Sequence, residues 1–145
     1  MKNTILVVED DPITRMDLVE ILKENGYEDV IEATNGADAV ELGRLYKPSL
    51  ALVDFKMPIL DGLSTCKVLV NQNLVKEIIL ITGYRQIDFV EDISKININH
   101  YLLKPLREEC LIELVRSIFE NIEDNNGYLD NTLKLNTKKL EAINI

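Results

Sequence analysis

The sequence predicts a doubly wound α/β fold, a five-stranded parallel sheet in the order 2-1-3-4-5 with helices on both faces. Three observations lead there. The runs at 5–8, 50–53 and 78–81 are apolar at every position, as strands covered on both faces are. Stretches with helical spacing of apolar residues lie between the strands, so that strand and helix alternate five times. Right-handed crossovers with one topological switch then give that strand order, with the crevice at the switch between the first and third strands.

Each element has its own signal. Ile5-Leu6-Val7-Val8 is the first strand and ends in the acidic triplet Glu9-Asp10-Asp11. Asp11 is suited to cap the next helix and Pro12 to open it. That helix runs to about residue 25, with Leu18, Ile21 and Leu22 on one face and Asn25-Gly26 as its stop. A short strand follows at 29–33, and Thr34-Asn35-Gly36 turns the chain into a helix over 37–46. Ala39, Val40 and Gly43 line one side of it, small enough for close approach to a sheet, and Lys47-Pro48 ends it. The central strand, Leu50 to Asp54, stops at a carboxylate, and Pro58 and Asp61-Gly62 mark a loop. A helix over 63–72 carries Cys66, Leu69 and Val70.

The fourth strand, 77–83, has a small-residue exit at Thr82-Gly83. A weaker helix over 86–96 shows Ile87, Val90 and Ile93 on one stripe. His100-Tyr101-Leu102-Leu103 is the fifth strand, closed by Lys104-Pro105. The last helix is expected over 106–122, where Leu111, Leu114, Val115, Ile118 and Ile122 form an amphipathic pattern, and 124–127 is expected to break it. This organisation gives one domain, 1–122, and a polar tail or linker, 123–145.

Composition narrows the function classes. The chain has 145 residues and a net charge of −9, which argues against nucleic acid as a direct partner. No apolar run reaches membrane-spanning length, so no membrane association is expected. Two isolated cysteines, Cys66 and Cys110, without metal-ligand spacing, read as small buried hydrophobes in a reducing cytoplasm. The single histidine, His100, reads as a loop or strand-edge residue rather than a ligand.

Parallel strands bring their carboxyl ends to one edge. There strand 1 offers Glu9 and Asp10, strand 3 Asp54, strand 4 Thr82 and strand 5 Lys104. Three carboxylates in one crevice repel one another, and a divalent cation relieves the repulsion. Hard oxygen ligands without Cys or His select Mg²⁺, with Mn²⁺ as an alternative. A hydroxyl and an ammonium opposite are suited to holding phosphoryl oxygens. The set fits transfer of a phosphoryl group onto Asp54 as nucleophile.

These residues stand in Ile5-Leu6-Val7-Val8-Glu9-Asp10-Asp11-Pro12, Ala51-Leu52-Val53-Asp54-Phe55-Lys56-Met57-Pro58 with Asp61-Gly62, Ile79-Leu80-Ile81-Thr82-Gly83, and Tyr101-Leu102-Leu103-Lys104-Pro105. In order and spacing, over about 4–122, they resemble the response regulator receiver domain of two-component signalling, a flavodoxin-like fold similar to the chemotaxis-type regulators. The resemblance implies that Asp54 is the phosphoacceptor, Asp10 a direct metal ligand and Glu9 a ligand through metal-bound water. It makes the main-chain carbonyl of Lys56 the remaining protein ligand. It also makes Thr82 the switch hydroxyl, Lys104 the partner of a phosphoryl oxygen and Tyr101 the aromatic switch. Lys56 and Tyr84, two residues after Asp54 and Thr82, are expected to slow loss of the phosphoryl group, and Gly83 to leave its site uncrowded.

The function so implied is a phosphorelay switch. A histidine kinase or phosphotransfer protein donates the phosphoryl group, and a downstream protein reads the face formed by the 86–96 helix, the fifth strand and the last helix. The chain is then a monomer or a phosphorylation-dependent dimer. It is not an enzyme beyond catalysing its own phosphorylation and dephosphorylation. Two other readings compete. A degenerate receiver would bind without phosphorylation. A phosphatase of the haloacid dehalogenase type would carry Asp-x-Asp on its first strand, whereas Asp54 is followed by Phe55-Lys56.

Overall fold

A computed structural model describes residues 3–55, 62–83 and 98–127, with side chains to 123. The expected helix at 86–96, Lys56, Tyr84 and the tail from 128 onward lie outside the described residues. The elements run β1 (Ile5–Val8), α1 (Pro12–Glu24), β2 (Val30–Ala33), α2 (Gly36–Tyr46), β3 (Leu50–Asp54), α3 (Gly62–Asn71), β4 (Glu77–Thr82), β5 (His100–Leu103) and α4 (Glu108–Gly127). All strand pairs are parallel and their order is β2-β1-β3-β4-β5, as the alternation predicts.

Two apolar layers sandwich the sheet, because successive side chains along a strand point to opposite faces. Ile5, Val7, Leu50, Leu52, Ile79 and Ile81 face α1 and α4, where they meet Leu18, Leu22, Leu111, Val115 and Ile118. Leu6, Val8, Ala51, Val53 and Leu80 face the other way, toward Ala39, Val40, Cys66 and Leu69 of α2 and α3. Every residue of β1 and β3 is buried, which accounts for their unbroken apolar runs. Tyr27 and Phe119 stack with ring centroids 5.5 Å apart, joining the exit of α1 to α4.

The helix ends follow the capping chemistry. Asp11 accepts from the Thr14 N–H at 2.9 Å, with Pro12 in the first turn of α1. Asn35 accepts from the Asp38 N–H at 2.9 Å and starts α2 one residue earlier than expected, at Gly36.

Three local expectations fail. Gly43 does not serve approach to the sheet: a Cβ there would lie 3.2 Å from both Leu69 and Leu74, so its smallness lets α2 sit against α3 and the turn that follows. Gly62 is not loop but the first residue of α3. The break expected at 124–127 does not occur, and α4 continues through Gly127. Asn and Gly are poor helix formers, yet extending a helix already anchored upstream gains one hydrogen bond per residue fixed, and that outweighs a penalty of about 1 kcal/mol at Gly.

His100 occupies an edge strand as expected, but it is buried, with Nε2 3.6 Å from a Glu77 carboxylate oxygen. Cys66 is buried and Cys110 half-buried, both as free thiols. Among the described residues no helix is long and apolar enough to cross a membrane.

Candidate functional site

The register fixes which strand ends meet. Val8 of β1 lies beside Val53 of β3, so the residues after them, Glu9 and Asp54, come level at the carboxyl edge. Asp54 pairs with Ile81, which places Thr82 one step beyond, and Thr82 pairs with Leu103, which places Lys104 next. Main-chain hydrogen bonds extend this frame past the strands. Phe55 N–H donates to the Ile81 carbonyl at 2.8 Å, and Lys104 N–H donates to the Thr82 carbonyl at 2.8 Å.

Carboxylate oxygens of Glu9, Asp10 and Asp54 all lie within 4.8 Å of one another, so the acidic residues of β1 and β3 do converge. Glu9 and Asp54 are buried, whereas Asp10 is exposed at the rim. Lys104 Nζ reaches in from the β5 side and lies 3.0 Å from Asp54 Oδ1. Thr82 is buried beside them, and its Oγ1 lies 3.4 Å from the Gly83 carbonyl. Tyr101 is half-buried and packs against the α2–α3 side of the core. A Cβ at Gly83 would meet nothing within 4 Å, in keeping with an uncrowded exit from β4.

The electrostatics follow from this crowding. Burial pushes the Glu9 carboxyl up to about 8, and the neighbouring Asp10 and Asp54 carboxyls push it the same way. The Asp11 N–H, donating to Glu9 Oε2 at 3.2 Å, opposes the rise without cancelling it. Such a cluster favours a cation. Its donors are carboxylate oxygens only, the set that suits Mg²⁺.

Two more residues build the site: Arg15, which the sequence did not single out, and Gly62, which it marked only as part of a loop. Arg15, one turn into α1, donates to the Glu9 carbonyl at 2.8 Å and pairs with Glu32 of β2 at 3.2 Å. It holds the end of β1 against the neighbouring strand. Gly62 donates its N–H to the Phe55 carbonyl at 2.8 Å, and a Cβ there would run into the Asp54 carbonyl oxygen and approach Phe55 Cα at 2.6 Å. The start of α3 can therefore lie against the backbone of Asp54 only as glycine. The Asp61-Gly62 pair was a visible signal, but it pointed to a turn rather than to this contact.

The sequence profile of the response regulator receiver domain matches residues 5–116. The chain belongs to the response regulator receiver family. This receiver is 38% identical over 140 residues to the transcriptional regulatory protein PdtaR of Mycobacterium tuberculosis, covering 94% of this chain and 68% of that protein. It is 32% identical over 115 residues to the chemotaxis protein CheY of Bacillus subtilis, covering 79% of this chain and 96% of that one. The solved receiver domain of AraT, a response regulator from Geobacillus stearothermophilus, superposes with a TM-score of 0.77 at 30% identity, over 87% of this chain and 99% of that one. The fold is thus the flavodoxin-like receiver fold, and the chain is a receiver of two-component signalling. Phosphorylation and Mg²⁺ binding at an acidic cluster are general features of this family, as is interaction with histidine kinases or phosphotransfer proteins and with downstream proteins.

Proposed function

We propose that this receiver is a phosphorylation-controlled switch in which Asp54 accepts a phosphoryl group from a histidine kinase or phosphotransfer protein. The observation that carries the reading is the buried Asp54 carboxylate, held 3.0 Å from Lys104 Nζ and grouped with Glu9 and Asp10. An Asp54 oxygen attacks phosphorus, the P–N bond of the donor phosphohistidine breaks, and its electron pair returns to the imidazole. Glu9, Asp10 and Asp54 would hold Mg²⁺, which would supply neutralising charge for the incoming phosphoryl oxygens. By resemblance, Asp10 and Asp54 would be the direct side-chain ligands, Glu9 would act through water, and the Lys56 main-chain carbonyl would be the remaining protein ligand.

The Lys104 ammonium, already paired with Asp54, turns to pair with a phosphoryl oxygen, and the Thr82 hydroxyl donates to another. The acyl phosphate adds charge and acceptor oxygens at the end of β3. Thr82 and Lys104 share a main-chain hydrogen bond, so their response is passed to β5 and Tyr101. The surface so altered recruits or releases a downstream protein. The chain turns over no external substrate and catalyses only its own phosphorylation and dephosphorylation. We place it in the cytoplasm, which its two free thiols support.

Incubation with acetyl phosphate and Mg²⁺ tests the reading. One acid-stable, base-labile phosphoryl group per chain is expected, absent in Asp54→Asn and absent with chelator. Continuous release of phosphate from an ester would instead assign a phosphatase. Failure of both acetyl phosphate and beryllofluoride to bind would assign a degenerate receiver.

A further inference from the structure

We propose that Arg15 is a positioning residue for the metal site: by holding the Glu9 carbonyl it sets the pose of Asp10, and through it the affinity of the acidic cluster for Mg²⁺. The inference rests on the reading that this cluster binds Mg²⁺ beside a phosphoryl-accepting Asp54. It adds a residue that is not itself a ligand.

Of the three carboxylates, Asp10 has the least packing to place it. Glu9 and Asp54 are buried, whereas Asp10 is exposed at the rim, beyond the end of β1. Past Glu9, whose N–H donates to the Ala33 carbonyl at 3.1 Å, the chain turns from the sheet toward α1. What aims Asp10 is therefore its main chain. A side chain leaves Cα in a direction set by the two peptide planes that meet there. Both planes beside Asp10 are held. The plane before it carries the Glu9 carbonyl, which accepts from Arg15 Nη1 at 2.8 Å. The plane after it carries the Asp11 N–H, which donates to Glu9 Oε2 at 3.2 Å. The second hold uses a carboxylate of the cluster itself. Arg15 supplies the hold from outside it.

Arg15 is fixed at further points. Its N–H donates to the Asp11 carbonyl at 2.9 Å, in the first turn of α1. Its Nε pairs with Glu32 Oε1 of β2 at 3.2 Å, and its side chain is only 17% exposed. Two nitrogens of one planar guanidinium thus grip two oxygens at once, the Glu9 carbonyl and the Glu32 carboxylate. Lysine offers the same charge at a single point and cannot reproduce that fork. Because Glu32 belongs to β2, the grip ties the pose of Asp10 to the sheet and not to α1 alone.

Charge and geometry predict opposite effects. Arg15 is a cation bonded to the main chain of the acidic cluster, so it repels Mg²⁺. If charge were its whole contribution, its removal would strengthen Mg²⁺ binding. If it positions Asp10, its removal weakens binding, by the roughly ten- to hundredfold typical of groups that orient metal ligands. The sign of the change separates the two.

Titration of the full chain with magnesium chloride, followed by heteronuclear NMR, tests the inference. A loss of Mg²⁺ affinity of about tenfold or more is expected for Arg15→Ala, and a loss also for Arg15→Lys, which keeps the charge but not the fork. Urea titration without Mg²⁺ shows how much of each variant is folded. A merely structural role would lower the urea midpoint and leave the affinity of the folded chain unchanged. That result overturns the inference, as does tighter binding by Arg15→Ala or full affinity in Arg15→Lys. If Arg15→Ala does not fold, Arg15→Lys decides. A wild-type chain that binds no Mg²⁺ overturns the metal-assisted phosphoacceptor reading and this inference together, whereas a wild-type chain that binds it and variants that bind it equally well overturn this inference alone.

Discussion

The Glu9 carboxyl, buried beside Asp10 and Asp54, holds its proton to about pH 8, against an ordinary value of 4.5. Between these values the folded chain binds a proton that the unfolded chain has released. Stability from this group is complete below about pH 4.5 and is lost as pH rises through 8. The metal-free protein should therefore show a melting temperature that falls between pH 5.5 and 8.5, and Glu9→Gln should flatten that slope. Mg²⁺ bound at this cluster would displace the proton, so added Mg²⁺ should raise the melting temperature more at pH 8 than at pH 5.5. Thermal denaturation with and without Mg²⁺ measures both effects. At Gly62 the constraint is steric. Gly62→Ala would press a methyl onto the Asp54 carbonyl, and overpacking of this kind costs about 1–3 kcal/mol. Loss of stability in urea together with slower labelling of Asp54 is the expected result. Asp54, Thr82 and Lys104 were legible in the sequence because each ends an apolar run. Arg15 and Gly62 were not, because their roles depend on backbone atoms brought near by the fold.

Elements were legible in proportion to their periodicity. The fully buried strands β1 and β3 announce themselves by length and apolarity, and their limits match expectation to the residue. Helix limits depend on end groups instead. Asn35 caps α2 by accepting from the Asp38 N–H, a contact the sequence could have suggested but that only geometry establishes. Asn35→Ala should lower stability by about 1 kcal/mol in urea titrations and leave Asp54 labelling unchanged, because the cap lies on α2 rather than at the carboxylate cluster. The end of α4 was misread for the opposite reason: residues 124–127 carry a local stop signal that an anchored helix overrides. His100 shows the same limit. The sequence reads it as a loop or strand-edge residue, and only the packed structure shows it buried next to Glu77.

At the scale of the molecule, one sheet supports two apolar layers, and the alternation of strands and helices was enough to predict both. Leu52 lies in the layer beneath α1 and α4, and Leu69 in the layer beneath α2 and α3. Leu52→Ala and Leu69→Ala should each cost about 2–5 kcal/mol, measured as a shift in the urea midpoint at constant slope. Their separation across the sheet predicts near-additive losses in the double variant, within about 0.5 kcal/mol. The site itself sits where the chain reverses its direction of winding, between β1 and β3, and this too follows from the order of the elements.

The strand pairing described above has a consequence for how the gene can change length. Side chains alternate faces, so one codon inserted between Leu50 and Val53 would rotate Asp54 out of the crevice and leave apolar side chains facing their wrong layers. Every residue named in the site would survive such an event, and signalling would not. Insertions and deletions that natural variants tolerate therefore belong in the connections between strands and helices, and a reading-frame scan of single-codon insertions should reveal β1, β3 and β4 as blank intervals.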